Sequence, residues 1–381
     1  MSIWKGKYII GLTGNIATGK SVVRRMLEHL GAYGIDADAL AHRAIAKGAP
    51  GYGPVIKTFG EWIIGEDGQI DRARLGRIVF ADTEALRRLE AIVHPPVRQA
   101  VDVLVRLSKH PVVVIEAIKL LEGELRDACD SIWVTYASPE VQLARLMEKR
   151  GMSTAAAQMR IESQPPQQEK LAAADVVIRN EGSFDTVWHQ VLVGWSKVPA
   201  AERASWATAQ TRELRKDAGE LFVTRARPGQ AGELAAFINK ISGGRLNLDR
   251  DDIMAAFGEK AFLMLMKEGK TLGVAGWQVE NLIARTMDVY LEPALPAAQA
   301  LRVLMAEVES ASRELQCEVS LLFLPVDLAK QQAIWKALNY VPRRVEDLRV
   351  RAWKEAAVES MPKNTVMLFK KLRKDRVLRP V

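Results

Sequence analysis

Residues 11–21 read GLTGNIATGKS. They follow the apolar run Tyr8-Ile9-Ile10 and lead into VVRRMLEHL (22–30), where Val22, Val23, Met26, Leu27 and Leu30 fall on one helical face. Gly14, Gly19, Lys20 and Ser21 fit the spacing G-x-x-x-x-G-K-S/T in the setting that gives it meaning, an apolar strand before and a helix after. The two glycines permit a backbone path that curls amide N–H groups around an anion, where a Cβ would clash or forbid positive φ. Lys20 can then reach β- and γ-phosphates, and the Ser21 hydroxyl can ligate Mg²⁺. Asn15, Ile16, Ala17, Thr18 and Val22 complete the expected triphosphate-binding segment, with the positive end of the helix dipole toward the phosphates.

Outward from this loop, short apolar runs alternate with amphipathic stretches as far as Trp195. YIIGLT, YGID, PVVVIEA, SIWVTYA and ADVVIRN read as strands, and the segments between them as helices. The expected fold class is α/β, a P-loop NTPase-type parallel sheet flanked by helices. With 381 residues, 48% of them hydrophobic, the chain has room for two domains. Residues 194–220 are polar and rich in Ala and Arg without a strand signal, which predicts domains at 1–197 and 219–381 joined by a helical linker at 198–218. Beyond it the order changes to three consecutive hairpin-like strands (261–269, 271–281, 285–293), a long amphipathic helix (297–316), a strand (318–325), a helix (329–341) and a last strand (365–372), which predicts an α+β domain with a mixed sheet.

Composition narrows the classes further. No apolar run approaches the roughly 20 residues that span a bilayer, and the N-terminus goes straight into the first strand without a secretory leader, so a cytoplasmic protein with no membrane partner is expected. Cys129 and Cys317 stand far apart without a CxxC partner and read as buried apolar filler, not as a disulfide or zinc site. The net charge of +8 suits polyphosphate substrates, and no nucleic-acid motif accompanies it. The basic tail KKLRKDRVLRP (370–380) reads as a solvated end.

A phosphate loop alone could serve a GTPase, a motor or a kinase. The second strand ends in YGIDADALAH, which places Asp36 and Asp38 at the carboxyl edge of the sheet, where open α/β sheets hold ligands. A carboxylate there can accept the proton of an attacking hydroxyl. Either aspartate could instead cap the helix ALAHRAIAK. Guanine-reading N-K-x-D motifs are absent, which argues against a GTPase.

GLTGNIATGKS, GAYGIDADALAH, FGEWIIGEDGQIDRARLGRIVF, LEAIVHPPVR, RLMEKRGMS and QMRIESQPPQQEKLAAADVVIRNEGS follow one another in an order that makes residues 8–195 resemble the dephospho-coenzyme A kinases. The resemblance implies ATP-dependent phosphorylation of the ribose 3′-hydroxyl of dephospho-CoA, with Asp38, the second aspartate of the DAD motif, as the base. It also implies an acceptor-binding region from about Leu40 to Lys109, with Asp36, His94 and Arg98 toward the substrate. A histidine before two prolines could equally bond a carbonyl at a helix end.

Arg145, and further Arg150 and Arg160, fall in the family's lid over ATP, where an arginine would neutralise the transferring phosphoryl group. Its alternative is a solvated basic face. Asn180 and Gly182 fall where the family holds adenine by backbone contacts. Two departures stand out. Asn15, Ala17 and Thr18 replace the usual small loop residues, and Glu116 replaces the usual aspartate in VVVIEAIKLL. Glu116 is one methylene longer, which bears on how it serves Mg²⁺ together with Ser21. Lys119 in the same stretch could pair with Glu116 or meet substrate phosphate.

Residues 220–373 resemble the GNAT acetyltransferases in element order. That superfamily receives acyl-CoA pyrophosphate on a glycine-rich Q/R-x-x-G-x-G/A turn, and here LEPALPAAQALRVL (291–304) has no such glycines. A non-catalytic GNAT-like domain is therefore expected, with CoA or an acyl-CoA as a possible ligand, and Tyr340 as a packing residue instead of a general acid. Three alternatives stay open: another small-molecule kinase, a bifunctional kinase and acyltransferase, and a regulator that binds nucleotide without transfer.

Overall fold

The computed structural model describes residues 3–199 and 220–374. All five strands expected in the first half form: β1 (Tyr8–Thr13), β2 (Tyr33–Asp36), β3 (Val112–Glu116), β4 (Ser131–Tyr136) and β5 (Val176–Arg179). They make one parallel sheet in the order β2-β3-β1-β4-β5. The helices between them are α1 (Lys20–His29), α2 (Ala37–Ala44), α3 (Tyr52–Phe59), α4 (Arg72–Val79), α5 (Thr83–Leu107), α6 (Pro139–Arg150), α7 (Thr154–Glu162) and α8 (Gln167–Ala172), and α9 (Phe184–Trp195) follows the last strand. Helices cover both faces, so the central strands are apolar throughout, and every residue of β3 is buried. One face packs on α2 and α5 through Ile9, Ile35, Val101 and Leu104, and the other on α1 and α9 through Ile10, Val23, Met26 and Val191.

The linker expected at 198–218 lies outside the described residues from 200 onward, and so does the tail from 375. The second half forms a seven-stranded sheet, β11-β12-β10-β9-β8-β7-β6. Its strands are β6 (Phe222–Arg225), β7 (Ala261–Lys267), β8 (Lys270–Glu280), β9 (Ile283–Leu291), β10 (Val319–Pro325), β11 (Val341–Pro342) and β12 (Thr365–Lys371). β6 to β9 pair antiparallel, whereas β9 and β10 pair parallel, so the chain must cross over between them. The helix Ala297–Glu314 makes that crossover and buries Leu301, Leu304, Met305 and Val308. This is the expected α+β order with a mixed sheet.

Two details differ from expectation. The helix read over 329–341 is two short ones, Val326–Ala329 and Gln332–Ala337, because the polar Lys330-Gln331 pair buries nothing and the backbone leaves the helix at Gln331 (ψ 60°). The helix Arg351–Ser360 gave no sequence signal, since it buries only Trp353, Ala356 and Ala357.

The two sheets share packing. The turn between β8 and β9 holds Asn281 and Leu282 at φ 55° and 60°, and this tight turn pushes Leu282 into the core beneath β2 and α2. Leu315 packs there too, and Phe184 of α9 joins the cores of both halves. Among the described residues no helix is long and apolar enough to cross a membrane.

Candidate active site

The loop between β1 and α1 takes the curled path its glycines allow. Gly14 sits at φ 153° and Gly19 at φ 91°; a Cβ on the first would lie 2.2 Å from Thr135 Oγ1, and on the second 1.9 Å from Asn180 Nδ2. No other residue fits either place. Ala17 also has φ 59°, a left-handed conformation that costs a non-glycine residue about 1–2 kcal/mol. Thr18 ties the loop down, its hydroxyl reaching Asn15 O at 2.8 Å and Thr135 Oγ1 at 2.7 Å.

Lys20 is buried and donates to Gly14 O (3.0 Å) and Asn15 O (3.3 Å). Burial lowers its proton affinity, against the pull of Glu116, Asp38 and Asp36. Ser21 Oγ donates to Glu116 Oε1 at 2.9 Å, while Glu116 Oε2 accepts from Arg24 Nε at 2.7 Å. Both oxygens of the longer carboxylate are thus engaged. Among the described residues no group of three or more His, Cys, Asp or Glu could hold a metal alone. The Ser21 hydroxyl, oriented by Glu116, fits Mg²⁺ that is shared with substrate phosphates, the usual manner for this ion.

The two aspartates separate in role. Asp36 caps α2, its Oδ1 accepting from Ala39 N at 2.8 Å, and burial followed by the nearby Glu116 charge pushes its carboxyl up to about 7. Asp38, in the first turn of α2, accepts from Ile118 N at 3.0 Å, and burial raises its proton affinity while Lys20 opposes the rise. The helix-cap reading therefore holds for Asp36 alone.

The segment from α6 to α8 packs on the loop. Arg145 donates to Ala17 O (3.1 Å) and Asn180 O (2.8 Å), Asn15 Nδ2 to Pro165 O (2.9 Å), and Ile16 N to Gln164 Oε1 (2.8 Å). Asn180 in turn donates from Nδ2 to Thr18 O at 3.0 Å. Arg150 is exposed but its charge reaches Lys20. Arg160 is exposed on α7, Gly182 is exposed just before α9, and Val22 turns toward the core of α1 and α9.

Other expected residues are not gathered here. His94 is exposed in the middle of α5, which runs through Pro95 and Pro96, so it ends no helix. Lys119 pairs with Glu90 at 2.5 Å, not with Glu116, because Arg24 and Ser21 already occupy that carboxylate. Arg98 pairs with Glu124 and lines a cleft of about 510 Å³ beside Trp4.

Lys170 was not anticipated. It is 3% exposed, and its Nζ donates to Ile118 O at 2.8 Å, on the residue whose N–H holds Asp38. In the sequence it stands in QQEKLA, which looks like a solvated helix face, so no local signal marks it. Arg24 was missed for the same reason: its partner Glu116 is 92 residues away.

In the second half, Pro293 and Pro296 lack N–H groups in the turn before the long helix, and Glu292 pairs there with Lys240 at 2.9 Å. The Tyr340 hydroxyl is buried 3.0 Å from Ser320 Oγ, with its ring edge-on to Trp335. It packs, as expected.

The sequence profile described as dephospho-CoA kinase matches residues 8–186. A dephospho-CoA kinase of Geobacter sulfurreducens is 43% identical over 192 residues, 50% of this chain and 98% of the relative. The crystal structure of TT1252 from Thermus thermophilus is 31% identical, covering 51% of this chain and 99% of that one at a TM-score of 0.46. A GNAT-family acetyltransferase of Staphylococcus aureus Mu50 is 15% identical, covering 40% of this chain and 100% of that one at a TM-score of 0.32.

Proposed function

This chain belongs, through its N-terminal half, to the dephospho-CoA kinase family, and on that premise we propose that it transfers the γ-phosphoryl group of ATP to the ribose 3′-hydroxyl of dephospho-CoA, giving CoA and ADP. The observation that carries the reading is Asp38, held by Ile118 N at the carboxyl edge of the sheet and near enough to Lys20 for each to perturb the other. In this reading the loop amides and Lys20 hold the triphosphate, and Lys20 exchanges its two carbonyl partners for phosphate oxygens. Asp38 takes the proton of the 3′-hydroxyl as its oxygen bonds to the γ-phosphorus, and the bond from that phosphorus to the β,γ-bridging oxygen breaks. Mg²⁺ held by Ser21 would supply charge neutralisation on the phosphate oxygens. Arg145 braces the loop and Asn180 from the nucleotide side.

We further propose the domain limits 1–197 and 219–381 with a linker at 198–218, and a second domain without acyl-transfer activity. Its prolines and Glu292 suit a CoA pyrophosphate poorly. Fusion to a CoA-forming half is what suggests CoA or an acyl-CoA as its ligand, held otherwise than through the turn before the long helix, and titration of the full chain with acetyl-CoA tests this. A cytoplasmic location agrees with these substrates and with the free thiols of Cys129 and Cys317.

The experiment is full-length protein with Mg-ATP and dephospho-CoA, the product followed by mass. CoA is expected, and Lys20→Ala should lower turnover by about 100-fold or more. Phosphorylation of nucleosides with indifference to dephospho-CoA would assign a different kinase. ATP binding without product would make the protein a regulator.

A further inference from the structure

Several polar links join the two halves; Arg72–Glu355, Arg351–Asp67 and Arg250–Asp185 are exposed, whereas the most buried ion pair among them lies on α2, one of the two helices that carry the proposed chemistry. α2 has Asp38 in its first turn and Arg43 in its last. Arg43 Nη1 donates to Asn281 O at 2.5 Å, and Nη2 pairs with Glu318 at the foot of β10, whose Oε2 accepts from Trp353 Nε1 at 3.4 Å. Arg43 is 8% and Glu318 1% exposed. α1, which begins with Lys20 and Ser21, is held further along by Arg25 on Glu280 at 3.5 Å and by His29 Nε2 donating to Phe257 O at 2.8 Å. Beside these links Leu282 and Leu315 enter the core under α2, and Tyr33 of β2 donates from its hydroxyl to Leu315 O at 3.4 Å.

We propose that the second half is a built-in brace of the kinase site, in which Arg43 and Glu318 are positioning residues that set Asp38 against the acceptor through α2. The inference rests on the kinase reading above. α2 has eight residues, and Arg43 lies only about 7.5 Å along the axis from Asp38, so a shift at one end is felt at the other. A buried ion pair is a poor source of stability, since desolvation offsets its attraction, but it tolerates one registry and no other. The apolar plug supplies adhesion, and the pair fixes orientation. This gives the second half a function that needs no ligand and no acyl transfer.

The test uses full-length protein carrying Arg43→Met, Glu318→Gln and the double change Arg43→Met with Glu318→Leu, which leaves no unpaired buried charge. Turnover, KM for dephospho-CoA, ATP dissociation constant and melting temperature are measured for each, with Arg250→Ala, which removes one of the exposed inter-half pairs, that to Asp185, as the comparison. The brace predicts that the double variant melts above the assay temperature and binds ATP as the wild type does, yet turns over about ten- to a hundredfold more slowly, because misplacement of the base by about an ångström costs that much. Arg250→Ala should keep wild-type turnover. Wild-type turnover in the folded double variant would overturn the proposal, and so would parallel losses of ATP affinity and turnover, which mark a general loosening. If the wild type makes no CoA, the kinase reading itself fails, a result distinct from both.

Discussion

Lys170 and Asp38 grip the C=O and N–H of a single residue, Ile118, from two different helices. The lysine charge also favours ionised Asp38, the form that can accept a proton. Lys170→Met should therefore lower turnover by about ten- to a hundredfold while leaving ATP affinity within about twofold, as steady-state kinetics and nucleotide titration would read. Unchanged turnover would remove Lys170 from the site. Residues such as Gly14, Gly19, Lys20 and Ser21 could be read from the chain because their geometry is local: the loop, strand and helix that define them span two dozen positions. Lys170, Arg24 and Lys119 could not, since each takes its meaning from a partner 29 to 92 residues away. The helix-end alternative for His94 fails for a related reason. Two prolines announce a break, but α5 absorbs both within 25 residues of helix.

At the level of elements, the parallel strands were legible because a strand covered on both faces is an unbroken apolar run with helices on either side. The short helix Arg351–Ser360 was not, because three buried residues make too thin a stripe for periodicity to register. α2 carries a cost that only the folded element shows. Its cap, Asp36, has its carboxyl pushed from an ordinary 3.8 up to about 7 by burial and then by Glu116. Between those values the folded chain binds more protons than the unfolded one, so stability falls as pH rises through that window. Asp36→Asn keeps a capping oxygen and removes the titration. Melting measured at about pH 5 and about pH 8 should show a smaller decline for the variant than for the wild type. Equal declines would mean that Asp36 ionises without penalty.

Across the whole molecule, two sheets that the sequence separates cleanly turn out to share a core, because Leu282 and Leu315 complete the packing beneath α2. Nothing in ENLI (280–283) announces this, as an apolar tip on a hairpin reads the same whether it meets solvent or another core. Calorimetry should accordingly give one cooperative unfolding transition, with the van't Hoff and calorimetric enthalpies close to each other. Leu282→Ala should cost about 2–5 kcal/mol and begin to split that transition in two. Two transitions already in the wild type would show that the halves melt independently. The inserted hairpin also has a bearing on biosynthesis. The ribosome delivers β1 to α9 well before it delivers Leu282, and at roughly 5–20 residues per second the nascent kinase half waits several seconds with an unfilled apolar hole. Exposed apolar surface of this kind is what chaperones hold, and it stays open until both Leu282 and Leu315 have emerged.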